Sequence, residues 1–304
     1  MNLLVFYQVV IVLAIISPFK LLSQGCSDAG FCTVQSVKPG ATDSLYSKPN
    51  TFKAGLTYGI AQYQVSVFSP YAEYTRKLGA KFSVTTRLIF ALRNGKLATT
   101  YGLADALVSA NYIINKKLQM VAGAKLPVNS ANKTKNGLSL PMTYQTSLGT
   151  ADIILGMSYD LNLFVITTAW QQPVAQNKNT FLFNDYPLSV LNEGYLSTNQ
   201  YERKGDVLLR LSHQTNFGST KYSLISSILP IYHLGNDTYK NNSGERITIV
   251  GSEGLTLNLN LFFNYKLNEN NLLEFTAGAP VIARKSRPDG LSQFSLGVEY
   301  VVRF

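Results

Sequence analysis

Every second residue from Phe294 to Phe304 is apolar: Phe294, Leu296, Val298, Tyr300, Val302 and Phe304. Between them stand Gln293, Ser295, Gly297, Glu299, Val301 and Arg303, mostly polar or small. Successive side chains of a strand point to opposite sides, so a period of two marks a strand with two unlike faces. The pattern recurs in Leu255, Leu257, Leu259, Leu261, Phe263 and Tyr265, in Leu118, Met120, Ala122, Ala124 and Leu126, and in Phe52, Ala54, Leu56, Tyr58 and Ile60. Such runs are longer than the roughly 5–6 residues usual in globular strands. They match the roughly 9–11 residues that a tilted strand needs to cross a bilayer. Lipid offers no partner to backbone N–H and C=O groups, so a spanning sheet must close on itself.

The pattern predicts an all-β chain, a transmembrane antiparallel β-barrel of about twelve strands, an even number as in bacterial barrels. The expected strands are 51–61, 66–78, 80–91, 103–114, 117–128, 147–160, 162–171, 203–215, 219–232, 246–266, 270–281 and 290–304. The second and ninth are the least regular, being interrupted by Ser69-Pro70 and by Pro230. The first and last strands, near Phe52 and Phe304, should pair. Tight turns at Gly79, Asn115–Lys116, Asp160–Leu161, Asn216–Gly218 and Leu267–Glu269 alternate with longer connections. Short periplasmic turns and long outer loops sort in this way in membrane barrels. Phe52, Phe82, Tyr112, Tyr159, Tyr222, Tyr265 and Phe304 gather near the tight-turn ends, as an interfacial aromatic girdle would.

Composition agrees. Of 304 residues 46% are hydrophobic and only 14% charged, too few charges for an ordinary soluble surface. Lys and Arg exceed Asp and Glu by 27 − 17 = 10. The basic residues are scattered, with no arginine-rich run, so they suit anionic headgroups and small anions better than nucleic acid, which is not expected as a partner. Residues 1–23 read as a signal peptide: Leu3–Pro18 is nearly all apolar, and Ser23 offers a small residue for cleavage before Gln24. An uncleaved anchor helix is disfavoured because Pro18 and Lys20 break the run before the ~20 residues of a span. Residues 24–50, rich in Ser, Gly, Pro and Lys, form an irregular N-terminal segment, and 51–304 the barrel. Cys26 and Cys32 are close enough to close a small disulfide loop in an oxidising compartment. Cys26 also raises lipidation, although Ser23 stands where an aliphatic residue is expected. The N-terminal segment is expected either to plug the barrel from the periplasmic side or to serve as a tether.

Three stretches resemble one family. GLADALVSANY (Gly102–Tyr112), LQMVAGAKLPV (Leu118–Val128) and SLGTADIILGMSYDL (Ser147–Leu161) together are similar to the outer-membrane proteins of the MetA-pathway of phenol degradation family. That family is similar in plan to the long-chain fatty acid transporters. The resemblance spans Gly102 to Trp170; CSDAGFC (Cys26–Cys32) lies outside it. It implies a monomeric barrel that takes up apolar or aromatic compounds, and it carries over no catalytic residue.

Catalytic and metal chemistry find little support. Ser212 and His213 are adjacent on one strand and so point to opposite faces, which prevents them from pairing as nucleophile and base. No metal site is expected, since His213 and His233 are the only histidines and lie far from the cysteines. Gly251–Gly254 lacks the Lys-Ser/Thr of a phosphate loop. No cofactor is expected. Arg87, Asp105, Lys125, Arg210, Glu274 and Glu299 fall opposite apolar faces and are the candidates to line the lumen, as a solute path or as mutual braces. Tyr300, Val302 and Phe304 form the expected signal for the barrel-assembly machinery. With outer-membrane lipid and an unidentified solute, that machinery completes the expected partners. The leading functional expectation is a channel or transporter for small, apolar or aromatic solutes in the cell outer membrane. The rivals are a non-conducting structural or surface-binding barrel and an outer-membrane lipid hydrolase.

Overall fold

A computed structural model describes residues 48–187, 194–218, 220–290 and 292–304. The expected signal peptide, the rest of the N-terminal segment up to Ser47 and the Cys26–Cys32 pair lie outside the described residues. In chain order the strands are β1 (Asn50–Ala61), β2 (Ser66–Lys77), β3 (Phe82–Asn94), β4 (Thr99–Ile113), β5 (Leu118–Pro127), β6 (Thr134–Lys135), β7 (Leu138–Ser139), β8 (Ala151–Asp160), β9 (Phe164–Ala175), β10 (Asp206–Phe217), β11 (Tyr222–His233), β12 (Thr238–Lys240), β13 (Arg246–Thr248), β14 (Gly254–Lys266), β15 (Asn271–Ile282) and β16 (Ser292–Arg303). Twelve of them form one closed barrel in the order β1-β16-β15-β14-β11-β10-β9-β8-β5-β4-β3-β2, while β6–β7 and β12–β13 are small hairpins within loops.

Closure is made by β1 and β16, which pair antiparallel from Thr51↔Arg303 to Ala61↔Ser292. Beyond the last strand pair, Asn50 and Phe304 exchange reciprocal backbone hydrogen bonds of 3.0 Å each. The two irregular strands form despite their prolines. Pro70 stands opposite Leu56 on β1, and Pro230 opposite Leu257 on β14. One expected strand is divided: of 246–266, only Gly254–Lys266 enters the barrel wall, and Arg246–Thr248 pairs with Thr238–Lys240 in the loop before it. Gly251 between the two pieces and Gly254 at the start of β14, both at positive φ, break the extended run.

The apolar positions face outward. Leu88, Leu103, Leu155, Leu209, Phe275 and Leu296 are 46–51% exposed. A belt of large apolar side chains this open would be costly in water and is the surface that a spanning barrel turns to lipid. At the tight-turn end, register sets Phe82 beside Tyr112 and Tyr222 beside Tyr265. The Tyr222 and Tyr265 rings stack 5.2 Å apart, and Lys221 Nζ lies 5.3 Å from the Tyr265 ring.

Turns 78–81, 114–117, 161–163, 218–221 and 267–270 share this end of the barrel with Asn50 and Phe304, which the strand order requires of an even count. The opposite end carries 62–65, 95–98, 128–150, 176–205, 234–253 and 283–291. The sorting by length is therefore incomplete: the connections after β1 and β3 are short although they belong to the long-loop end.

Deleting Phe304 removes both its hydrogen bonds to Asn50 and the last aromatic side chain of the seam. The expected result is a smaller folded, heat-modifiable fraction on a semi-native gel. A truncated chain that inserts as the full one does would reduce Phe304 to a packing residue.

Candidate functional site: the lumen and the long-loop mouth

The inward positions of β1, β2, β3 and β16 build a charged network. Strand register puts Lys53 opposite Glu73 and Glu73 opposite Arg87. Arg87 Nη2 lies 2.6 Å from Glu73, and Lys53 Nζ lies 3.7 Å from Glu73 and 3.3 Å from Glu299. Tyr71 donates its hydroxyl to Glu299, and the Arg87 guanidinium lies 4.3 Å above the Tyr71 ring. Tyr71 can lie flat against the wall because residue 55 is glycine: a Cβ there would stand 2.5 Å from the Tyr71 ring. Farther round, Lys125 and Asp152, opposite each other on β5 and β8, form a fully buried pair at 2.8 Å. Gln171 on β9 also donates to Asp152. Glu274 stands directly opposite Glu299 in the register of β15 and β16.

All the residues expected at the lumen are thus on the inner side. Arg87, Asp105, Lys125, Arg210, Glu274 and Glu299 are between 0 and 7% exposed. The structure joins Arg87 to Glu299 through Glu73 and Lys53, and places Lys125 in a separate pair. Buried charges of this kind are tolerated because each acquires a partner.

Sequence reasoning missed the other half of the wall. Leu107, Val121, Ile154, Ala169, Leu208 and Leu229 also point inward, are at most 5% exposed, and pack as one cluster with Ile89 and Ile231. They come one each from β4, β5, β8, β9, β10 and β11, so an apolar cluster crosses this side of the wall among inward polar residues such as Asp105, Gln171 and Arg210. The signal was present where alternation fails: Leu107-Val108, Val121-Ala122, Ile153-Ile154-Leu155, Leu208-Leu209 and Ile228-Leu229 are apolar on both faces.

The long-loop end is filled by chain. Every residue of Ser139–Thr150 is buried, which is unusual for a loop because its backbone polar groups lose water. Side chains replace the water. Arg93 Nη1 donates to the Thr143 carbonyl at 3.0 Å and Thr100 Oγ1 to the Tyr144 carbonyl at 2.6 Å. Gln145 and Asn179 both donate to the Leu140 carbonyl. Deeper in, Ser147 Oγ donates to Asp105 at 2.6 Å and Lys125 Nζ to Thr150 Oγ1 at 3.1 Å. Gly290, at φ +69, rests against this segment so closely that a Cβ would lie 2.7 Å from Thr143 Cα.

A second polar network ties the loops to the strand ends. His233 has its two ring nitrogens 2.7 and 2.8 Å from carboxylate oxygens of Asp206 and Asp237. Carboxylates only accept, so both contacts are hydrogen bonds when both nitrogens carry hydrogen. Asp237 also accepts from the Tyr201 hydroxyl at 2.7 Å and from the Lys204 N–H at 2.8 Å. Arg203 pairs with Asp206, and Arg284 pairs with Asp289. Burial pushes the Asp237 carboxyl up, but the hydrogen bond and charge of His233, with Arg284 and Tyr201, outweigh it and hold the group below the ordinary carboxylate range. Burial, then the charges of Asp237 and Asp289, push the Tyr201 phenol well up. His213, by contrast, sits at the tight-turn end, with Nδ1 2.7 Å from the Leu163 carbonyl oxygen and its ring 5.2 Å from Phe164.

Asp237→Ala should leave the Tyr201 hydroxyl, His233 Nε2 and the Lys204 N–H without their acceptor and cost about 3 kcal/mol, the usual scale for breaking a buried pair. Trypsin should then cut sooner after Lys204 and Lys240. Because the folded carboxyl is held low, its stabilisation is complete above the ordinary carboxylate value and is lost as pH falls through the lowered one. Acid should therefore expose the same sites in the unmutated protein, whereas Asp237→Ala should respond less to acid.

No family model matches the chain, and no curated protein matches it. Solved structures do. The COG4313 outer membrane channel from Pseudomonas putida F1 superposes with a TM-score of 0.59 at 14% identity, over 88% of this chain and 100% of that one. The Pseudomonas putida toluene transporter TodX gives 0.46 at 12% identity, over 92% and 95%. The KdgM porin gives 0.43 at 8%, over 83% and 99%. The first likeness shows a shared fold, the closed barrel of an outer-membrane channel.

Proposed function

We propose that the protein is an outer-membrane channel for small apolar or aromatic solutes, with the long loops facing outward from a Gram-negative cell. The apolar cluster of Leu107, Val121, Ile154, Ala169, Leu208 and Leu229 carries this reading. A barrel that served only water-soluble solutes would gain nothing from lining its interior with side chains that pack together away from water. An apolar solute sheds its hydration against such side chains, while the charged arc opposite keeps the rest of the lumen polar. Membership of the MetA-pathway of phenol degradation family, suggested by Gly102–Trp170, points to the same solute class. The lumen candidates Arg87, Asp105, Lys125, Arg210, Glu274 and Glu299 act in this reading mainly as braces of the polar arc. The buried Ser139–Thr150 segment favours one rival, a barrel that does not conduct at rest. Current across a planar bilayer separates the two.

Intact cells that make the protein should take up a small aromatic hydrocarbon several-fold faster than cells without it. Leu208→Asn should remove most of that gain when uptake is normalised to the folded barrel, whose amount should fall because Leu208 is fully buried. Uptake indifferent to the substitution would sink the apolar path.

Epitope tags at Asn136 or Asn242 should be reached by antibody on intact cells, and one at Asn268 should not. Labelling at Asn268 would reverse the proposed orientation.

A further inference from the structure

A groove of about 520 Å³ lies across the outer wall of the barrel, from β3 to β10. That is within the roughly 300–1,000 Å³ usual for small-molecule sites. Strand register explains why it is there. Ala110 on β4 stands opposite Ala122 on β5, and Ala122 opposite Leu155 on β8. Leu155 stands opposite Trp170 on β9. One step nearer the tight turns, Tyr112, Met120, Met157 and Thr168 stand side by side in the same order. Two alanines set among large outward side chains leave a hollow. Thr168 donates its hydroxyl to the Leu208 carbonyl at 3.2 Å, so the floor of the hollow is apolar.

In a bilayer this groove faces hydrocarbon chains rather than water. A void there would forfeit van der Waals contacts, which a chain laid into it restores. Met120 and Met157, paired across β5 and β8, are flexible enough to adapt to it.

The tight turns beyond the groove carry charge mostly of one sign. With the strand residues beside them, the five turns hold Lys77, Lys81, Lys116, Lys117, Lys221 and Lys266 against Asp160 and Glu269. Lys81, Lys116 and Lys117 lie at the ends of the strands that form the groove, and all three are exposed. Lys81 Nζ lies 3.5 Å from the Ile114 carbonyl oxygen, at the turn from β4 to β5. Asn115 fixes that turn, its Oδ1 accepting from the Lys117 and Leu118 N–H groups at 2.9 and 3.0 Å. Asp160, the acid beside it, accepts from the Asn162 N–H at 2.6 Å. An apolar groove that ends beside clustered ammonium groups is complementary to a lipid with an acyl chain and an anionic head.

We propose that this groove docks an anionic phospholipid, its acyl chain lying on Ala110, Ala122 and Thr168 and its phosphate held by Lys81, Lys116 and Lys117. The chain alone would not discriminate, because every bilayer lipid has one. The lysines do, since basic groups near a membrane surface attract anionic headgroups. The occupant is a phospholipid rather than a lipopolysaccharide because the tight turns face the periplasm when the long loops face outward, an orientation that rests on the proposed function.

Trp170 is the only tryptophan of the chain and lines the groove, so its fluorescence reports what enters. The full chain is folded into phosphatidylcholine vesicles with a small fraction of phosphatidylglycerol brominated on its acyl chains. Chain-brominated phosphatidylcholine is the control, and bromine quenches on contact. Phosphatidylglycerol should be preferred about tenfold, a margin that added salt shrinks. Lys81→Gln, Lys116→Gln and Lys117→Gln together should remove the preference and leave the folded fraction unchanged, since all three residues are exposed. Ala122→Phe, which fills the groove, should weaken quenching by both lipids while the lysines remain. Equal quenching by the two lipids would overturn the proposal. So would a preference that survives the triple substitution, or quenching indifferent to Ala122→Phe. Both vesicle leaflets carry the probe, so the measurement does not depend on orientation in the cell. A preference for phosphatidylglycerol combined with antibody labelling at Asn268 would overturn the choice of a phospholipid and put lipopolysaccharide in its place. No preference, with Asn268 hidden, would overturn the site and leave the orientation standing.

Discussion

Backbone hydrogen bonds between β1 and β16 govern everything else in this molecule. In lipid every N–H and C=O of the wall must be paired, and the last unpaired edges of the sheet are those of the first and last strands. Their pairing, from Thr51↔Arg303 onward, turns a sheet into a tube. Once the tube exists, alternation assigns every side chain to lipid or to the interior. Leu56 and Tyr300 then face the membrane as necessarily as Lys53 and Glu299 face each other across the seam.

A twelve-stranded interior lies between the eight strands whose side chains fill the lumen and the sixteen or so that leave a wide aqueous channel. Side chains therefore still shape the space, and the protein divides it. One arc, from β16 through β3, is a chain of charges in which Lys53 serves two carboxylates and Tyr71 caps one of them. The other, from β4 through β11, carries a buried apolar residue on each strand, set among inward polar residues such as Asp105, Gln171 and Arg210. Lys125 and Asp152 form a buried ion pair within it, with Thr150 and Gln171 as further partners.

The fold was legible because the constraint that makes a barrel also writes itself into sequence. Two-faced strands near the right length, tight turns such as Asn115–Lys116, and aromatic residues near one end all result from spanning a bilayer. The errors have local causes. Arg246–Thr248 has the alternation of a strand, but Gly251 and Gly254 at positive φ turn it out of the wall. The connection after β1 is tight because Tyr63 and Gln64 adopt left-handed conformations that their residue types do not announce. The inner apolar cluster was hidden by the assumption that an inner face must be polar. Leu107, Val121 and Leu208 each adjoin an outward apolar residue, and a doubled apolar position reads as an ordinary hydrophobic run until the wall is built.

The mouth was less legible still, because it depends on contacts between segments far apart in sequence. Arg93 meets Thr143, Tyr63 meets Tyr195, and His233 lies between Asp206 and Asp237. None of these has a spacing that betrays it. Their combined effect is mechanical. The segment Ser139–Thr150 is held at its upper part by Arg93, Thr100 and Asn179 and at its lower part by Asp105 and Lys125. Asp105 and Lys125 belong to the barrel wall, so the loop cannot shift without giving up bonds to the lumen itself. A solute that enters must then pass beside this segment, along whichever wall demands least dehydration of polar groups. In the proposed reading an apolar body follows the cluster that begins at Leu107, which stands on β4 two positions from Asp105 and directly opposite Lys125 on β5. The loop that narrows the mouth is thereby anchored beside the inner apolar cluster.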